Sequence, residues 1–138
     1  MLKSKYFMSI LFTITSFMYL FVGTLFITME IMFKFPSDHF NPVFMLMFYG
    51  FVVMMIFGIS YIFIPGIVKS TINVRLAKIE YIIYNAGIIS LFTSIELVYT
   101  GLRSAVLASS IIIGILLILI SVAIHAYNLM FLHHAKYE

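Results

Sequence analysis

Three residues of this sequence carry chemistry within long apolar runs: Glu30, Glu96 and His125. A carboxylate or imidazole in such a run is costly and marks a functional position by default. Glu30 and Glu96 fall near one end of their runs, the end shared with Asp38, His39 and Arg103. Oxygen and imidazole ligands gathered there would suit a bound cation or a proton relay. The competing reading pairs Glu30 with Lys34 and Glu96 with Arg103, each about one helical turn apart, and the spacing favours it. His125 lies about two turns inside the opposite end, with Asn128 on the same stripe. Tyr61 sits at similar depth in another run. A Tyr61–His125 hydrogen bond would satisfy both side chains. The functional alternative is ligation of a haem iron by an imidazole nitrogen. His133, His134 and Glu138 at the same end read as a solvated tail rather than a surface metal site.

Other chemistries are absent. The chain has no cysteine, which excludes disulfides, thiolate zinc sites, iron–sulfur clusters and a cysteine nucleophile. It holds no glycine-rich phosphate loop, no H-E-x-x-H pair and no nucleophile–base–acid set. An independent catalytic activity is therefore not expected.

The elements that must position these residues are membrane spans. Of 138 residues, 64% are hydrophobic and 9% charged, with a net charge of +3, and the mean hydropathy is +1.17. So few charges cannot cover a globule in water, where about 25% is usual. The eight basic residues are spread over the helix ends, which is not a nucleic-acid signal. A helix needs about 20 apolar residues to cross a bilayer, and four segments qualify: about 6–33, 43–68, 79–99 and 104–132. They make an all-α integral membrane protein, a single domain, an up-down-up-down four-helix bundle with short loops. The apolar run after Lys5 is too long for a cleaved signal, so it reads as a retained first span. Lys3, Lys5, Lys69, Arg75, Lys78 and Lys136 lie at one end of the bundle; Lys34 and Arg103 lie at the other. This asymmetry predicts a cell-membrane protein with both termini in the cytoplasm.

Each span has one small or polar seam, as lipid solvation requires. The seams are Ser9, Thr13, Ser16, Gly23 and Glu30 in span 1, and Gly50, Met54, Gly58, Tyr61 and Pro65 in span 2. In span 3 they are Ala86, Ser90, Thr93, Glu96 and Thr100, with Asn85 at the edge. In span 4 they are Ser110, Gly114, Ser121, His125 and Asn128. A packed bundle explains most of these without any further role.

Residues 50–65, GFVVMMIFGISYIFIP, resemble the second-helix segment of small membrane proteins related to the haem–copper oxidase catalytic subunit. That family's pattern is G-[FW]-V-x-x-M-I-x-G-x-x-Y-x-x-x-P. The four-span length and the segment His125-Ala126-Tyr127-Asn128-Leu129 are also similar. The resemblance implies a respiratory-type or haem-associated protein, with haem b as the candidate cofactor and membrane subunits as partners. A family histidine about five residues before the first glycine is replaced by Met45, and His39 lies six residues earlier. Met45, His39 and His125 are thus the candidate ligands. The function expected is a non-catalytic accessory subunit of a redox complex, in contact with the bilayer and with other subunits or itself. The alternatives are a structural or assembly protein without cofactor, or a small oligomeric transporter or channel.

Overall fold

In a computed structural model, which describes residues 2–33, 40–102 and 104–134, the chain is an all-α bundle of four long helices. Span 1 is α1 (Leu2–Phe33). Span 2 is a continuous rod of α2 (Phe40–Met45), a π-helical stretch Leu46–Val53 and α3 (Met54–Val68). Span 3 is α4 (Val74–Tyr99) and span 4 is α5 (Ala105–Met130). All four are long and apolar enough to cross a membrane. A two-residue pairing of β1 (Ser70–Thr71) with β2 (His133–His134) ties the chain after span 2 to the chain after span 4.

The side-chain pairings give the topology. Ser9 meets Gly58 and Gly23 meets Met47, so spans 1 and 2 run antiparallel. Ser90 meets Ser110 and Glu80 meets Ser121 and His125, so spans 3 and 4 do likewise. Thr15–Tyr81 and Tyr19–Asn85 set spans 1 and 3 parallel. The bundle is therefore up-down-up-down.

Local sequence explains the ends. Asn73 caps span 3, its side chain accepting from the Arg75 and Leu76 amides at 3.0 and 3.3 Å. Ser104 caps span 4 through the Leu107 amide at 3.2 Å. Span 3 closes in a Schellman motif: Gly101 has φ +91°, its amide reaches Val98 O at 3.0 Å, and Leu102 N reaches Leu97 O at 3.1 Å. Lipid is the only solvent that suits the exterior. Ile67, Val106 and Met130 are each more than 70% exposed, amid a surface of isoleucine, leucine and phenylalanine.

The expected seams of spans 1, 2 and 4 face inward. Ser9, Ser16, Gly23 and Glu30 are buried, as are all five seam residues of span 2, and Gly114, Ser121, His125 and Asn128 of span 4. The expected seam of span 3 is corrected. Ala86, Thr93 and Thr100 are exposed, and the buried face is Ala77, Glu80, Tyr84, Gly87, Ile88, Leu91 and Ser94. The two faces differ by one residue, roughly 100° of rotation. The reason is that a helical threonine can satisfy itself. Thr93 Oγ1 donates to Ile89 O at 2.7 Å and Thr100 Oγ1 to Leu97 O at 2.8 Å, so both hydroxyls can face lipid.

The backbones of spans 3 and 4 come into close contact where Gly87 meets Gly114. A Cβ on Gly87 would stand 3.0 Å from Gly114 O, and one on Gly114 would stand 3.0 Å from Gly87 O. Backbone is met here, and backbone cannot swing aside. Gly114→Val is expected to lower stability by about 1–3 kcal/mol, measured as unfolding in mixed detergent micelles. Gly66→Ala, which meets nothing within 4 Å, serves as the neutral control.

Candidate functional site

The buried polar groups converge on Glu80. Val74 begins span 3 six residues earlier, directly after the Asn73 cap, so Glu80 lies about 9 Å inside the helix. Its side chain is fully buried. Tyr61 of span 2 donates a hydrogen bond to Glu80 Oε2. His125 Nδ1 of span 4 lies 2.9 Å from Glu80 Oε1. Ser121 Oγ donates to the Glu80 carbonyl at 3.1 Å. The His125 ring stacks on Phe57 with centroids 4.0 Å apart and planes at 15°. Three spans thus share one carboxyl group.

The hydrogen-bond directions follow one from another. The Asn73 amide donates to Asn128 Oδ1 at 2.9 Å, which fixes the orientation of the Asn128 amide. Its NH₂ group then donates to Asn73 O at 3.1 Å and to the Tyr61 hydroxyl at 3.2 Å. Tyr61 accepts from Asn128 and so sends its own proton to Glu80. On the far side of the imidazole, Nε2 lies 2.8 Å from Ser60 Oγ. The Ser60 proton goes to Phe57 O at 2.9 Å, so Nε2–H is the donor to Ser60. Only one bond keeps two options. Either Nδ1–H donates to a carboxylate, or a protonated Glu80 donates to Nδ1.

This arrangement corrects one expectation and supplies a residue that sequence reasoning misses. Tyr61 and His125 do meet, with ring centroids 4.7 Å apart, but each is hydrogen-bonded to Glu80 rather than to the other. Beginning span 3 at residue 79 leaves Glu80 at a headgroup. The Asn73 cap, followed by apolar Val74, Leu76 and Ala77, is the signal that places it two turns deeper. Asn128 takes the buried place its stripe suggested.

The other candidates stand apart. Spans 1 and 3 run parallel, with Phe26 against Phe92 at 5.7 Å, so Glu30 and Glu96 share one level at the opposite end of the bundle. Glu30 is buried and Glu96 half-buried. Lys34, Asp38, His39 and Arg103 lie outside the described residues, as do the interfacial pairs expected with them. Met45 ends α2 beside a shallow hollow lined by Phe44, Phe48 and Tyr49. It lies sixteen residues from Tyr61, roughly 20 Å from His125 along the bundle.

Met45 and His125 are not placed to hold one haem between them. The axial ligands of one iron sit on either side of it, and Met45 and His125 are far too distant for that. Both nitrogens of His125 are engaged, by Glu80 and Ser60. Among the described residues no three His, Cys, Asp or Glu side chains cluster to hold a metal. What the Glu80 site can do is hold and shift a proton. Comparison with protein-family models, curated proteins and solved structures finds no match for this chain.

The fixed directions make Asn128 the anchor of the network. Asn128→Leu keeps the branched shape but leaves the Asn73 amide and the Tyr61 oxygen without their partner. The expected loss is about 1–3 kcal/mol of stability. Ser109→Ala serves as a control, since Ser109 bonds only its own helix at Ala105 O. Unfolding in mixed micelles measures both.

Proposed function

We propose that this chain is a non-catalytic accessory subunit of a respiratory or haem-associated redox complex in the cell membrane, with both termini in the cytoplasm. The observation that carries the reading is how polarity is distributed. The side chains able to do chemistry at the Glu80 site are paired with one another, and the faces turned outward are almost wholly apolar. Such a chain offers neighbouring spans a surface to pack on, not a reactive group.

The resemblance to oxidase-related proteins supports the same reading. Gly50, Gly58, Tyr61 and Pro65, four positions of the shared pattern, form the buried seam of span 2. Gly58 stands against Ser9 and Thr13 of span 1, and Gly50 against Tyr19. The likeness is thus one of how the second span packs. Any haem then belongs to the partner subunits, because His125 and Met45 do not fit one here. The excess of basic residues at the end holding both termini supports the orientation.

The test is purification from native membranes in mild detergent, followed by native mass spectrometry and a reduced-minus-oxidised spectrum. The expected result is a b-type band that travels with a larger complex and is absent from the separated chain. A band kept by the isolated chain and lost in His125→Ala overturns the assignment of haem to the partner. Recovery of the chain only alone or as self-oligomers overturns the accessory role.

A further inference from the structure

Among the described residues, Glu80 and His125 face each other in a region with no other charge to settle their state. Span 2 presents Tyr61, Ser60 and the Phe57 ring; span 3 adds Tyr84, which packs on Phe57 at 5.2 Å; span 4 adds Ser121 and Asn128. Span 1 presents Phe12, with its ring 5.8 Å from that of Tyr61. Lys69, Arg75 and Lys78, near the same end of the bundle, are exposed to its exterior. The proton count of the pair therefore follows from the hydrogen bonds.

Nε2 of His125 holds a proton because Ser60 must accept. Between Nδ1 and Oε1 there is room for one more. With that proton on nitrogen the pair is an ion pair; with it on oxygen both groups are neutral. The shift breaks one N–H bond and forms one O–H bond, and the net charge stays zero in either state. Adding a second proton would leave an uncompensated positive charge. Removing the shared one would leave a carboxylate facing an imidazole lone pair at 2.9 Å. Either net charge in the bundle interior is heavily disfavoured.

We propose that Glu80 and His125 together form a one-proton binding site whose occupancy locks span 4 onto spans 2 and 3. The ligand is the proton itself, given up to solvent base when it leaves. Its binding site is the N–O gap, and its effect is to keep three helices joined by attraction where its loss would set two lone pairs against each other.

Glu80→Gln tests this directly. The Gln carbonyl accepts from Tyr61 and its NH₂ donates to Nδ1, so every hydrogen bond survives without the shared proton. The measurement is the unfolding equilibrium in mixed micelles against pH. An unfolded histidine loses its proton above about pH 6.5. In the wild type the folded pair keeps that proton, so unfolding releases one, and the unfolding constant should rise about tenfold per pH unit above that point. In Glu80→Gln, His125 is neutral in both states, and this dependence should vanish. Below about pH 6.5 the order reverses: the variant loses stability as its unfolded histidine gains a proton, while the wild type holds until carboxylates titrate near about 4.3. Equal slopes for the two proteins above pH 6.5 would overturn the proposal. Should the variant not fold, proton release on unfolding the wild type in weak buffer, read with an indicator dye, decides instead. About one proton per chain is expected on the alkaline side, and none sinks the idea.

Discussion

The bundle depends on one constraint: a carboxyl group placed where neither water nor lipid can satisfy it. Glu80 sits two turns inside span 3 and has to find hydrogen bonds from other helices. Tyr61 supplies one from span 2 and His125 another from span 4. Both partners must arrive at the same depth and on the right face, so the rotation of all three helices is set together. Asn128 then fixes Tyr61, and the Asn73 cap fixes Asn128. A helix cap at the end of the bundle thereby determines the direction of a hydrogen bond in its interior.

Close packing and polar pairing act on the same pair of helices. Gly87 and Gly114 bring the backbones of spans 3 and 4 into contact about two turns from the Glu80 carboxyl. Without that approach, Ser121 would not reach the Glu80 carbonyl and His125 would stand off from the carboxyl. On the other side, Gly58 lets span 2 press against Ser9 and Thr13 of span 1. Aromatic rings fill what remains, with Phe12 touching Phe57, Tyr61 and Tyr81. Lipid drives no hydrophobic association between helices, so glycine contact and shared hydrogen bonds hold the spans together.

Span 2 departs from regular geometry where it meets the others. Its π-helical stretch Leu46–Val53 coincides with close contacts of Met47 to Gly23 and of Gly50 to Tyr19, and the Tyr49 carbonyl there accepts from the Tyr84 hydroxyl at 2.8 Å. A wider turn exposes carbonyls that an α-helix would use itself. The tyrosine of span 3 takes up one of them.

The sequence by itself determined the number of spans, the all-α architecture and the seams of spans 1, 2 and 4. Apolar length and the aversion of small and polar residues to lipid are local properties, readable one helix at a time. It also singled out His125, Tyr61 and Asn128 as buried. The true face of span 3 was hidden, because threonines that bond their own backbone imitate a polar seam. The π-helical turn left no mark among the apolar residues of span 2. Only the tertiary structure decided that Glu80 is the centre and that Tyr61 and His125 meet through it. A hydrogen bond between residues 19 and 45 positions apart depends on helix rotation and depth, and no spacing within a single helix encodes those.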